Sequence, residues 1–267
     1  MKILITANTN WNVLHFRRPI IQALIARGDS VSVLSPIDET VTELTTLGVD
    51  HIPLAMDNKG LNPLRDMGLI LRLYREIRQA RPDAVLSYTI KNNIYGAFAA
   101  RLAGVPFLPN VSGLGTAFLS GRLLQTVAET LYRNAFRRLG TVFFQNPDDC
   151  DLFLKRRLVR PEQAVLLPGS GIDLDHFAAH DLPSGPPKFL MIARLLRDKG
   201  VLEYVEAARQ VRARHPAVRF QLLGAADSEN RTAIGIEEVQ SWVQEGLIDY
   251  LGTTNDIRQP IKQAHCV

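Results

Sequence analysis

Residues 188–200 read KFLMIARLLRDKG and combine two patterns that decide the fold. Lys188–Ala193 is short and mostly apolar, which predicts a buried strand. Arg194 follows that strand, and Lys199 and Gly200 stand where a tight turn would lead into the next helix. Ligands of open α/β sheets bind at the carboxyl ends of strands, where helix N-termini add backbone N–H groups. We therefore expect Arg194 and Lys199 to form a diphosphate site, although the spacing alone also fits two solvated cations.

The rest of the chain shows the same alternation of short apolar runs and longer amphipathic ones. Strands that alternate with helices imply βαβ units and a parallel sheet. Before residue 182 the predicted strands are Lys2–Thr6, Ser30–Ser35, Val49–Pro53, Ala84–Ser87, Phe107–Asn110, Thr141–Gln145 and Ala164–Leu167. The predicted helices are Phe16–Arg27, Glu39–Leu47, Leu64–Ala80, Asn93–Ala103, Phe118–Leu139 and Pro147–Leu158.

A second α/β series follows the turn-rich segment 182–187, which has no apolar periodicity and is the best linker. Its predicted strands are Lys188–Ala193, Val218–Leu223 and Ile248–Leu251, and its predicted helices are Gly200–Arg214, Ile236–Gln244 and Asp256–Ala264. We place the two domains at residues 1–177 and 178–267. His265–Val267 resemble the first residues of another strand, so we expect a fragment of a longer protein with an incomplete second domain.

Composition excludes several classes of protein. The 267 residues are 46% hydrophobic and 22% charged, as in soluble proteins with sizeable cores. Cys150 and Cys266 have no ligand or disulfide spacing, and no run approaches the ~20 apolar residues that span a bilayer. Residues 1–170 carry 20 Lys and Arg against 14 Asp and Glu. This bias suits phosphate or lipid headgroups but also fits an ordinary solvated surface. We expect a cytoplasmic protein, peripheral to a membrane at most, and no nucleic-acid partner.

Three segments in order resemble family 4 of the retaining glycosyltransferases, which have the GT-B fold of two Rossmann-like domains. Residues 191–200 are similar to the family's Gly/Ala-Arg-Leu…Lys-Gly signature, residues 168–177 to its Gly-Val-Asp…Phe segment, and residues 250–257 to its Leu-Gly…Asp-Ile turn. The resemblance implies that Arg194 and Lys199 bind the donor diphosphate and stabilise the leaving nucleotide. The other donor-binding residues that we assign from it are Gly169, Gly224, Gly252 and Ile257.

The first half resembles a bacterial subgroup that glycosylates polyprenyl-diphosphate-linked saccharides or builds surface polysaccharide. The segments that carry this resemblance are 14–21, 88–96 and 111–118. It implies a lipid-linked saccharide as acceptor. His15 is the nearest candidate for a catalytic histidine, although a lone histidine is more often structural. The acceptor-binding residues that we assign are Asn10, Lys91, Asn93, Gly113 and Gly115.

The predicted helix 118–139 is basic and amphipathic, which suits an anionic membrane surface. The commoner use of such an apolar stripe is to face the core, and we favour that use.

The resemblance implies sugar transfer with retention from a UDP-sugar, which is a co-substrate. We expect no cofactor and no metal, because two cations can stabilise the leaving diphosphate. The family's paired glutamates would lie beyond Val267, so we expect little activity from this chain. Two alternatives stay open: a sugar-nucleotide 2-epimerase of the same architecture, and an inactive fragment that binds lipid or acceptor.

Overall fold

The computed structural model of the protein describes residues 1–57, 63–113, 122–226 and 232–267. The chain forms two compact units, Met1–Asp173 and Leu174–Val267, whereas the sequence placed the division after residue 177. Both units are α/β with parallel sheets, so the predicted fold class is confirmed. Within the described ranges, no helix has the length and apolar character that crossing a membrane requires.

The first unit is built on a seven-stranded sheet in the order β3-β2-β1-β4-β5-β6-β7. Its strands are β1 (Lys2–Thr6), β2 (Ser30–Ser35), β3 (Asp50–Pro53), β4 (Ala84–Tyr88), β5 (Phe107–Val111), β6 (Val142–Phe144) and β7 (Ala164–Leu166). Every pairing in it is parallel. The strand order reverses between β1 and β4, and ligands of such sheets bind outside the carboxyl ends of the strands at this point.

Six helices of this unit lie in the described ranges: α1 (Asn10–Ala26), α2 (Val41–Thr46), α3 (Pro63–Ala80), α4 (Ile90–Ala103), α5 (Arg122–Phe136) and α6 (Pro147–Lys155). The prediction that α1 starts at Phe16 was wrong. Thr9 caps the helix through Asn12 N–H, and the Asp38 carboxylate accepts hydrogen bonds from the Asn10 and Trp11 N–H groups. Thr9 is a local cap signal that the prediction did not use, whereas the cap from Asp38, 28 residues along the chain, leaves no local signal.

Helix α5 buries one face in the core. Of the apolar stripe that we expected to face the core, Phe136 is buried, whereas Val127 is 42% exposed. Its fully buried aromatic residues are Tyr132 and Phe136, and Tyr132 packs edge-on against Phe153 of α6 at 5.0 Å between ring centroids. Phe144 of β6 makes the same kind of contact with Phe153 at 5.2 Å. These aromatic contacts join α5, α6 and the sheet into one core.

The second unit has a three-stranded parallel sheet in the order β10-β9-β8. Its strands are β8 (Lys188–Ile192), β9 (Arg219–Leu223) and β10 (Asp249–Tyr250), and its helices are α7 (Val201–Arg214), α8 (Ile236–Gln244) and α9 (Arg258–Lys262). Cys266 forms a parallel bridge with Phe189, on the β8 side of the sheet. The strand-like character predicted for His265–Val267 is therefore present as a single bridge.

Candidate functional site

The carboxyl edge of the second sheet depends on one glycine. Gly224 follows β9 with φ of 155°, and a Cβ at this position would lie 1.8 Å from the Ala193 carbonyl oxygen. Its N–H donates to the Gly252 carbonyl at 2.8 Å, and the Tyr250 hydroxyl donates to the Gly224 carbonyl at 2.9 Å. The close approach brings the chain that follows each of the three strands to one point, next to Arg194.

Arg194 and Lys199 lie exposed at this edge. Arg194 follows β8, and Lys199 ends a 3-10 turn, from which Gly200 in the left-handed conformation leads into α7. Both cations act on one carboxylate. The pKa of Asp198 is lowered, first by the hydrogen bond from the Thr232 hydroxyl and in addition by the charges of Lys199 and Arg194. The charges of Arg194 and Lys199 thus both reach Asp198, and Lys199 lies beside the N-terminus of α7. Two cations beside a helix N-terminus suit a diphosphate.

Of the other residues predicted to bind the donor, Ile257 lies in a small apolar core. Ile257 packs its side chain against a small core of Leu190, Leu223 and Ala264. The neighbouring Asp256 is held by Arg258 through two hydrogen bonds of 2.7 and 2.8 Å, which lower the pKa of Asp256 to about 2.

Gly169 belongs to the first unit, in the segment after β7, and has φ of 98°. Its assignment to the donor stays a prediction.

The loop from β1 to α1 ties the first strand to the second. Asn10 is fully buried, donates through Nδ2 to the Pro36 carbonyl at 2.7 Å, and accepts a hydrogen bond from the Ser35 hydroxyl. Burial alone would raise the pKa of Asp38, but hydrogen bonds from Thr40 and from the Asn10 and Trp11 N–H groups outweigh it and lower that pKa. The Asn10 side chain therefore has a structural task at the carboxyl edge of the sheet.

Strained backbone marks the connection from β4 to α4. Thr89 has φ of 72° and ψ of 152°, a conformation that costs a residue with a side chain about 1–3 kcal/mol and that clusters at functional sites. Its hydroxyl donates to Asn92, whose Nδ2 donates to the Thr6 hydroxyl at 2.7 Å. Asn93 is buried and donates to the Asn110 carbonyl at 2.9 Å. This network fixes the ends of β1, β4 and β5 relative to one another.

Lys91, near the start of α4, is held by two aspartates from other parts of the first unit. Its Nζ donates to the Asp57 carbonyl at 2.8 Å and pairs with the Asp66 carboxylate at 3.2 Å. The other Asp66 oxygen accepts a hydrogen bond from the Tyr95 hydroxyl at 2.8 Å, and burial together with this carboxylate raises the pKa of Tyr95. The contacts of Lys91 join α3 to α4, and its assignment to the acceptor stays a prediction.

His15 lies in the second turn of α1, and its ring is exposed. It stacks on Trp11 at 4.4 Å between ring centroids, and its Nδ1 lies 2.9 Å from the Trp11 carbonyl oxygen. The other ring nitrogen has no hydrogen-bond partner among the described residues. Gly113 follows β5, is exposed and has φ of 156°, whereas Gly115 lies outside the described residues.

Sequence reasoning missed one cluster, formed by Arg17, Tyr88, Gln145 and Ser170. Arg17 is 2% exposed, lies 4.0 Å from the Tyr88 ring centroid and donates to the Ser170 hydroxyl at 2.7 Å. Gln145 donates to the same hydroxyl at 2.9 Å. The available signal was the position of Arg17 on the apolar face of α1. That face reads Asn10, Val13, Leu14, Arg17 and Ile21.

Within the described residues, no group of three His, Cys, Asp or Glu side chains could hold a metal ion. The expectation of a metal-free reaction stays a prediction.

Two parallel α/β sheets, each with candidate ligand-binding residues at its carboxyl edge, define a two-domain α/β protein of the Rossmann-like class. The chain belongs to the family described as the glycosyl transferase 4-like domain, whose pattern matches residues 16–169. It is 28% identical to the N,N'-diacetylbacillosaminyl-diphospho-undecaprenol alpha-1,3-N-acetylgalactosaminyltransferase of Campylobacter jejuni, over 96% of this chain and 71% of that protein. It is 25% identical to the UDP-Gal:alpha-D-GlcNAc-diphosphoundecaprenol alpha-1,3-galactosyltransferase of Escherichia coli, over 76% of this chain and 56% of that protein.

Solved structures show the same fold. Anabaena Alr3699/HepE in complex with UDP and glucose superposes with a TM-score of 0.73 and 18% identity, over 99% of this chain and 72% of that chain. A glycosyltransferase from Rickettsia africae gives a TM-score of 0.70 over 98% of this chain and 71% of that chain. The predicted GT-B glycosyltransferase fold is therefore confirmed.

Proposed function

We propose that the chain transfers a sugar from a UDP-linked donor to a polyprenyl-diphosphate-linked saccharide, with retention of anomeric configuration. The observation that carries the proposal is the carboxyl edge of the second sheet, where Gly224 lies against Ala193 beside the exposed Arg194 and Lys199. The choice of acceptor is supported by the Campylobacter and Escherichia relatives, whose names both specify a saccharide on undecaprenyl diphosphate. A surface polysaccharide precursor is the alternative acceptor.

In this reaction the bond between the sugar C1 and the β-phosphate oxygen breaks, and the acceptor hydroxyl oxygen bonds to C1. The leaving UDP gains negative charge as the bond breaks. Cations already in place stabilise that charge more in the transition state than in the ground state. Arg194 and Lys199 have this task in the proposal, and no metal or cofactor is required for it. His15 is the candidate to receive the acceptor's hydroxyl proton through its unengaged ring nitrogen.

The epimerase alternative gains no support, because both sequence relatives named above are transferases. The other alternative is a non-catalytic module that binds lipid or acceptor. Such a module does not need a donor site, so it need not bind UDP.

The experiment is a transfer assay on the purified chain with UDP-N-acetylgalactosamine or UDP-galactose and a short-chain prenyl-diphosphate disaccharide. Because we expect little activity from this chain, the assay is run to long times, and we expect a low yield of free UDP and of an elongated acceptor. The new linkage should have the α configuration of the donor, read by NMR coupling constants. A β linkage contradicts retention, and an epimerised UDP-sugar without acceptor elongation indicates the epimerase. Association with lipid vesicles without any UDP binding indicates the module.

A polyprenyl acceptor lies in a membrane, and we propose that the protein acts at the cytoplasmic face of one. The support is the basic C-terminal end of α5, where Arg137 and Arg138 are exposed next to Arg101. Their charge suits anionic lipid headgroups.

A further inference from the structure

Among the described residues, the first unit buries one arginine, Arg17, without a carboxylate beside it. Arg17 is 2% exposed, and within the described ranges burial and Tyr88, rather than a carboxylate, are what act on its charge. Its Nε has no hydrogen-bond partner in that part of the chain, and Tyr88 covers one face of the guanidinium at 4.0 Å. Burial lowers the pKa of Arg17, which nevertheless stays far above neutrality because guanidinium is the most basic side chain. Buried charges are normally paired, so the surroundings of Arg17 favour a nearby anion.

The Arg17 guanidinium donates to the hydroxyl of Ser170, which is a less buried residue. A hydroxyl has two acceptor lone pairs and one O–H donor. Arg17 Nη1 at 2.7 Å and Gln145 Nε2 at 2.9 Å occupy both lone pairs. The single O–H must therefore point away from them, and it donates to no described residue. Ser170 is half-buried, so part of the residue is accessible from solvent.

The cluster lies on the ligand-binding side of the sheet. Tyr88 ends β4, and Gln145 directly follows β6 and donates its N–H to the Val111 carbonyl at the end of β5. Gly169 and Gly171 flank Ser170 with φ of 98° and 74°, in the region that favours glycine. The Ser170 donor is thus placed at the carboxyl ends of the strands, where open α/β sheets bind ligands.

We propose that the Ser170 hydroxyl, with Arg17 and Gln145 behind it, donates a hydrogen bond to a phosphate oxygen of a diphosphate ligand. A neutral sugar hydroxyl would satisfy the O–H but would leave the Arg17 charge uncompensated, whereas a phosphate satisfies both. The inference deepens the proposed function and rests on it. The diphosphate belongs either to the nucleotide of the donor or to the lipid of the acceptor, and the two sources share this chemistry.

The test compares Ser170→Ala with Ser184→Ala, which removes an exposed hydroxyl from the segment before β8. Calorimetry measures the binding of UDP and, separately, of farnesyl diphosphate to the 267-residue chain. Ser170→Ala should weaken one of the two ligands about ten-fold, the effect of losing a charge-assisted hydrogen bond, and Ser184→Ala neither. The ligand that is weakened identifies the source. Wild-type affinity of Ser170→Ala for both ligands overturns the proposal, as does a wild-type chain that binds neither.

A second variant separates ligand binding from folding. Gln145→Glu places a carboxylate beside Arg17 and supplies the missing counter-charge. A purely structural cluster should tolerate this change without loss of affinity, since it pairs the buried cation. We expect thermal stability at least equal to wild type together with diphosphate affinity reduced about ten-fold or more, because the new charge repels phosphate. Unchanged affinity contradicts the proposal.

The transfer assay and the binding measurements together separate failure of the anion site from failure of the proposed transferase function. Diphosphate binding that depends on Ser170, in a chain that forms no elongated acceptor even in a prolonged assay, refutes the transferase and leaves the anion site standing. Sugar transfer that Ser170→Ala leaves unchanged in kcat and KM for both substrates supports the transferase and refutes the anion site.

Discussion

Among single residues, Gly224 determines the geometry of the carboxyl edge of the second sheet. Its φ of 155° and the 1.8 Å between a hypothetical Cβ and the Ala193 carbonyl oxygen leave no room for any side chain. The atom that a side chain would meet is backbone, and a backbone atom at the end of a hydrogen-bonded strand cannot move aside cheaply. The contact keeps Arg194 next to the Gly252 turn.

We predict that Gly224→Ala destabilises the protein by about 2 kcal/mol or more, through the clash and the strained backbone together. Gly235→Ala is the matched control, because a Cβ there meets nothing within 4 Å and the backbone is ordinary. The measurement is urea unfolding followed by circular dichroism. Equal midpoints for the two variants would show that the close approach is absent.

The two groups of candidate site residues differ in how far their surroundings could be read from the sequence. Arg194 and Lys199 lie in one local motif after one strand, so their exposure at the edge follows from the pattern. Asn10 and Lys91 were chosen for their places after strands. Asn10 bonds to Pro36 and Ser35, and Lys91 bonds to Asp57 and Asp66. Such partners come from other elements and cannot be read locally.

Among the elements, α5 combines a buried face with a basic C-terminal end. Its buried face consists of Ala128, Tyr132, Ala135 and Phe136. At its C-terminal end, Arg101 of α4 donates to the free carbonyls of Asn134 and Ala135. Burial, followed by the charges of Arg138 and Arg137, lowers the pKa of Arg101, so three arginines repel one another there. An anionic surface would relieve that repulsion.

We therefore predict that Arg137→Glu/Arg138→Glu weakens binding to vesicles that contain phosphatidylglycerol. The control is Arg75→Glu/Arg78→Glu, which changes the net charge equally on exposed positions of α3. Two lost basic contacts of about 1 kcal/mol each correspond to a loss of binding of roughly 30-fold at low salt. Vesicle co-sedimentation measures it. Equal losses for both double variants would indicate net charge alone and contradict a specific surface at α5.

At the scale of the whole molecule, alternation of strands and helices was enough to predict two α/β units, and every described strand of the structure overlaps a predicted one. The arrangement of the strands was not predictable in the same way. The order of the first sheet and the link from Arg17 to Ser170 depend on contacts between distant residues, in the latter case 153 positions apart. A single sequence records such contacts only indirectly, here as an arginine on an apolar helix face.

We propose that Arg194 and Lys199 bind the diphosphate of the nucleotide. The most direct test of this proposal is calorimetric titration of UDP into the chain and into Arg194→Ala, Lys199→Ala and Arg197→Ala. Arg197 is the matched control, because it is a cation of the same turn whose side chain pairs with Glu238 at 3.0 Å. We predict that each of the first two variants raises the Kd for UDP about ten-fold or more, the loss expected for a charged phosphate contact, and that Arg197→Ala leaves it within about two-fold. A Kd for UDP that is the same in wild type, Arg194→Ala and Lys199→Ala would contradict the account.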